Sequence, residues 1–196
     1  MPPHFSKGSE TDIAFVLSCP GRHEEAAEYP AAGSTGKNLE RLLKILGPRL
    51  GFPDLIRAHV TIANAWCRIE YKQKTQRSEA SKEEVMLDTN IDRLADELQH
   101  VKMLIVFCGR NAQLTSQKLR LLNRLSESVQ MASICHLGFQ GLNKIKCDIS
   151  SQSIVKASEQ RRCGCQKSKK VIQQENTDRR LKVVVERLLQ SCVPMR

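Results

Sequence analysis

The chain has 196 residues, 40% hydrophobic but only 4% aromatic, with 31 Lys+Arg against 21 Asp+Glu for a formal net charge of +10. That is enough apolar material for a mainly aliphatic core, and a single domain over residues 1–196 is expected. No stretch approaches the roughly 20 apolar residues of a membrane span, and Met1-Pro2-Pro3-His4 lacks a signal-peptide core, so a soluble cytoplasmic protein is expected. Eight cysteines at irregular spacings suit reduced thiols better than a disulfide framework.

Four short apolar runs read as strands: residues 13–17, 60–63, 103–108 and 131–135. Leu39, Leu42, Leu43 and Leu46 follow the first at helical spacing. Leu87, Ile91, Leu94 and Leu98 follow the second, and Leu119, Leu122 and Leu125 the third. Leu181, Val184, Val185, Leu188 and Leu189 predict a last helix over about 177–192, while the polar stretches 72–83 and 150–176 read as loops, the latter basic. Aliphatic strands alternating with amphipathic helices predict an α/β three-layer sandwich around a mainly parallel four-stranded sheet.

In an open parallel sheet, ligands bind at the carboxyl ends of the strands. The four runs end at Ser18-Cys19-Pro20-Gly21, Asn64, Gly109-Arg110 and His136, which places a polar or special residue at every junction on one edge. A binding site is expected there. The excess positive charge gathers beyond residue 150, in SEQRRCGCQKSKK. A solvated basic face and a phosphate-binding surface both fit that charge.

The segment IAFVLSCPGRHEEAAEYPAAGSTGKNLERLLKIL resembles the first motif of the uracil-DNA glycosylase superfamily, in particular its iron–sulfur branch. Pro20 and Gly21 match the end of that family's first strand; Pro30, Gly33 and Gly36 match its Pro-Phe-x-Gly-x-x-Gly turn. VTIANAWCR resembles the family segment whose Asn reads an extruded base, and His136 stands where the family's His-Pro-Ser loop opens. The resemblance covers roughly residues 13–143. It implies a uracil-DNA glycosylase-like fold and hydrolysis of an N-glycosidic bond in DNA. It assigns Asn64, Ala31 and Gly21 to the base, and Ser18, Cys19, His136 and Glu24 to the chemistry.

DNA is the expected partner, with contacts at Lys37, Arg110, Gln140, Arg161, Arg162, Lys169 and Lys170. Neither a membrane nor an obligate protein partner is expected. Phe139, Gln140 and Leu142 are placed to fill the gap left by an extruded base.

The departures from the family pattern are chemical. Cys19 stands where related families carry Asp, Asn or Ala, and Ser18 where the iron–sulfur branch carries Glu; Ala31 replaces the stacking Phe; Leu137 and Gly138 replace Pro-Ser. Losing the aromatic platform suggests a widened pocket, better suited to a bulky or modified base than to uracil; the expected substrate is a uracil-like or bulkier modified base, in repair or in defence against modified phage DNA. Only Cys67 matches a cluster ligand, and Cys163-Gly164-Cys165 lacks a second pair, so no metal and no other cofactor is expected. The alternatives are a catalytically silent nucleic-acid-binding member of the same fold and an unrelated small-molecule α/β enzyme.

Overall fold

A computed structural model describes residues 2–10 and 12–192. The elements run β1 (Phe5–Ser6), β2 (Ile13–Leu17), α1 (Arg22–Ala27), α2 (Ser34–Arg49), β3 (Thr61–Asn64), α3 (Lys72–Thr75) and α4 (Lys82–Val85). They continue with α5 (Asp88–Leu98), β4 (Leu104–Cys108), α6 (Arg110–Leu121), β5 (Gln130–Ile134), α7 (Phe139–Leu142), α8 (Ala157–Arg162) and α9 (Lys169–Ser191).

The sheet order is β1-β3-β2-β4-β5, and every neighbour is parallel except β1 against β3. All five residues of β2 are buried. Ile13, Phe15 and Leu17 join one core with Leu39, Leu42, Leu43 and Leu46 of α2 and Leu181, Val184, Val185 and Leu188 of α9. Ala14 and Val16 face the opposite core with Ile91, Leu94 and Leu98 of α5 and Ala112 and Leu119 of α6. Two apolar faces on one strand require helices on both sides, which is the three-layer α/β sandwich.

Three expectations need correction. The described sheet has five strands rather than four, because the two-residue β1 pairs antiparallel with Ala63 and Ile62 of β3. Two residues carry no readable alternation, so only the partner strand defines the element. Second, α6 stops at Leu121, leaving Leu122 as its cap and Leu125 beyond it. Third, the polar stretches are not simple loops. Segment 72–83 contains α3 and the start of α4, and segment 150–176 contains α8 and the first two turns of α9.

The last helix therefore begins at Lys169 rather than near 177, capped by the Ser168 hydroxyl, which accepts from Val171 N–H at 3.3 Å. Its buried stripe passes through Ile172, Asn176 and Arg180, and two polar residues at core positions hide the periodicity. Both are satisfied. Asn176 donates to Val155 O at 2.8 Å and Arg180 Nε donates to Ile145 O at 3.2 Å.

Candidate active site

At the carboxyl edge, the parallel register pairs Leu17 with Asn64. The next turns of chain bring Ser18, Cys19 and Gly21 beside Asn64, His136 and the start of α2. They enclose a cavity of about 180 Å³, also lined by Glu24, Ala31, Thr35, Glu70, Ser78 and Glu79. Seven residues singled out in the sequence (Ser18, Cys19, Gly21, Glu24, Ala31, Asn64 and His136) thus share one cavity. Glu70, Ser78 and Glu79 join them from segment 70–79, whose polar composition gave no hint of it.

The walls are held by long-range contacts. Glu24 accepts from Gly21 N–H at 3.0 Å and from Gly33 N–H at 3.3 Å, stapling the Pro-Gly elbow to the glycine turn. Its carboxylate is therefore engaged in architecture. The Pro30–Ala31 carbonyls both accept from the Arg57 guanidinium, with Nη1 2.9 Å from Ala31 O. Arg57 also stacks over Tyr29 at 5.0 Å. Gly36 has no substitute, because a Cβ there would lie 1.8 Å from Ala31 O.

Ala31 is buried in a left-handed conformation (φ 53°), and neither Tyr29 nor Phe139 lines the cavity to replace the missing aromatic. The loss of that ring does not open a large chamber. At about 180 Å³ the space is below the roughly 300 Å³ lower bound of drug-sized ligand pockets.

Four of the cavity's non-acidic polar groups, on Asn64, Ser18, Cys19 and His136, are neutral or unpartnered. Asn64 is 1% exposed, and its Oδ1 has no hydrogen-bond partner in the protein; Ser18 Oγ, 6% exposed as a residue, has none either. Burial pushes the Cys19 thiol up to about 12, with the Glu79 carboxylate adding to it, so the thiol stays protonated. It points at Ser78 O, 3.7 Å away. Cys19 is therefore a wall of the cavity and not a base.

Burial also holds His136 below the usual histidine range, with Glu79 working in the opposite direction. Gly138 N–H donates to His136 Nδ1 at 2.9 Å, which leaves the neutral ring's proton on Nε2 as a donor. Asn38 Nδ2 donates to Leu137 O at 2.7 Å and so ties the loop to α2. Gly141 packs against the same loop, where a Cβ would lie 2.0 Å from His136 O.

The other acid lining the cavity from the 70s is locked. Glu70, 3% exposed, accepts from Arg77 Nε at 2.8 Å and Nη2 at 2.5 Å and from Trp66 Nε1 at 3.2 Å. Arg77 holds its carboxyl below the usual range.

The model of the family described as the uracil DNA glycosylase superfamily matches residues 3–179. The chain belongs to the uracil DNA glycosylase superfamily. Members of that superfamily are in general glycosylases that act on DNA. No curated protein matches the chain.

In this uracil DNA glycosylase superfamily member, the cations named from the sequence lie outside the cavity. Lys37 and Arg110 are exposed on the first turns of α2 and α6, and Gln140 on α7; Arg161 and Arg162 end α8, and Lys169 and Lys170 open α9. Of these residues only Lys169 lines a second cavity, of about 690 Å³. Ser34 and Asn38 of α2, Phe139 of α7 and Lys169 and Arg180 of α9 are among its walls. Lys146 and Lys156 also line it, and sequence reasoning missed both.

Phe139 is 70% exposed at the head of α7, whereas Leu142 is buried in the core and so is removed from the surface. Among the described residues, no group of three or more His, Cys, Asp or Glu side chains is placed to hold a metal. None of the described helices is long and apolar enough to cross a membrane.

Proposed function

We propose that this chain hydrolyses the N-glycosidic bond of a single pyrimidine-sized base, uracil or a close relative, extruded from DNA into the cavity at the carboxyl edge of the sheet. The observation that carries the reading is the pair of buried, unpartnered polar atoms, Asn64 Oδ1 and Ser18 Oγ, on the walls of a cavity of base dimensions. A buried polar atom without a partner costs about 1–3 kcal/mol, and a bound base edge supplies the missing hydrogen bonds.

Asn64 presents a donor and an acceptor to the pyrimidine edge. As the C1′–N bond lengthens, negative charge develops on the base. The neutral His136 donates Nε2–H to it, and the first-turn N–H groups of α2 near Thr35 add the positive end of a 16-residue helix. Cys19 closes the wall without exchanging a proton. Phe139 enters the duplex as an apolar wedge where the base has left, and Gln140 beside it meets the strand. Lys37, Arg110, Arg161, Arg162, Lys169 and Lys170 hold phosphates.

The cavity volume favours a small lesion of the repair kind over a bulky modification of phage DNA. The test is a panel of oligonucleotides carrying uracil, thymine in mismatch, 5-hydroxymethyl- and glucosylated pyrimidines, followed by alkaline cleavage at abasic sites. Release of uracil or another unsubstituted pyrimidine is expected. Release confined to the bulky bases would move the function to defence, and DNA binding without any abasic product would leave a silent binder.

A further inference from the structure

Hydrolysis in this cavity needs a group to take the proton of the attacking water and to offset the positive charge on the sugar, and neither Ser18 nor a thiol held at about 12 supplies one. Three carboxylates line the cavity: Glu24, Glu70 and Glu79. Glu24 is spent on the Gly21 and Gly33 amides, and Glu70 is clamped by Arg77 and Trp66. The nearby Glu25 is bound by Tyr71 and Lys74. Glu79 alone of the three forms no hydrogen bond or ion pair with another described residue, and it is exposed toward solvent.

Its free side chain sits on a fixed backbone. Before it, Arg77 bridges Glu70 and Glu84, with Nη1 2.5 Å from Glu84. After it, Ala80 is packed with Trp66 and Val85 and accepts from Asn111 Nδ2 at 3.0 Å, and Ser81 caps α4. The backbone on both sides of Glu79 is thus held, and it presents one unengaged carboxylate to the cavity. Glu79 lines the same cavity as Cys19 and His136, and its charge pushes both of them upward.

We propose that Glu79 is the catalytic carboxylate, standing in from the α3–α4 loop for the acid that the first motif lacks. The assignment rests on the glycosylase reading above. As the water oxygen bonds to C1′, the C1′–N bond breaks and its electron pair leaves with the base, which receives the His136 hydrogen bond. The water's proton passes to Glu79 and from there to the departed base or to solvent. No oxidant or co-reactant is needed.

The experiment uses the full chain on the base that the oligonucleotide panel identifies. Glu79→Gln should lower the single-turnover rate by about 100-fold, the lower end of a general base's contribution, with DNA affinity unchanged. Glu79→Ala should recover activity when formate is added, because a small carboxylate can occupy the vacated site, whereas Glu24→Ala should not. Both Glu79 variants should keep the wild-type melting temperature, since the side chain is exposed and unbonded. A Glu79→Gln rate within about threefold of the wild type, or a Glu79→Ala variant that formate leaves unchanged, overturns the assignment while the glycosylase reading stands. Wild-type protein that makes no abasic sites on any base overturns both.

Discussion

The carboxyl-edge cavity and the basic segment from Lys156 to Lys170 handle polarity in opposite ways. In the cavity, the groups other than the exposed Glu79 are largely desolvated: a neutral imidazole, a protonated thiol, and two polar atoms left without partners. In the segment, Arg161, Arg162, Lys169 and Lys170 are exposed and form no ion pairs with described residues. Buried dipoles act strongly at short range on one bound base, while solvated charges act weakly and collectively on any phosphate backbone. The two regions therefore divide the work between chemistry and affinity, and substitutions should separate them.

The sharpest separation is expected at His136. Removing its Nε2–H donor in His136→Ala should slow base release by about 100- to 1,000-fold, the cost of deleting one donor to a developing anion, while DNA affinity stays level. A parallel loss of affinity in a gel-shift titration would erase the division. Next is Asn64→Ala, which should slow release by roughly 10- to 100-fold. Because Asn64 Oδ1 is unpartnered in the protein, the same change should not lower the melting temperature, as loss of a satisfied buried amide would.

On the other side, charge reversal at Arg161, Arg162, Lys169 and Lys170 should weaken DNA binding at least tenfold. It should also flatten the log–log salt dependence by about 0.9 for each phosphate that is no longer neutralised. Release at saturating DNA should not change. Lys167, paired with Glu175 at 2.6 Å, should contribute less than its neighbours when neutralised alone. Phe139→Ala should reduce activity on duplex DNA by about five- to tenfold and on single strands hardly at all, since only a duplex leaves a gap to wedge. Equal losses on both substrates would rule the wedge out.

The smallest effect is on stability. Burial holds His136 and His100 below the ordinary histidine value of 6.5, so the unfolded chain takes up their protons first as pH falls. Stability present at neutral pH is therefore lost below about 6.5, and the melting temperature should drop by a few °C toward pH 5.5. His136→Asn should remove part of that drop.

The sequence by itself determined the order of strands and helices and the edge on which Cys19, Asn64, Arg110 and His136 emerge. Apolar periodicity is local, and parallel βαβ connection then fixes which strand ends share an edge. It also located the glycine turn, because Pro30, Gly33 and Gly36 cluster just ahead of the helically spaced leucines.

Tertiary structure alone decided which acids are spent and which is free. Glu24 meets Gly33 across nine residues, Asn38 holds Leu137 across 99, and Glu79 shares a cavity with walls as distant in the chain as Ser18 and His136. It likewise made a strand of Phe5–Ser6 and buried Asn176 and Arg180 in the stripe of α9, where carbonyls supplied by other segments satisfy them. A side chain's partners are set by packing between segments distant in the chain, and no local pattern in the sequence carries that information.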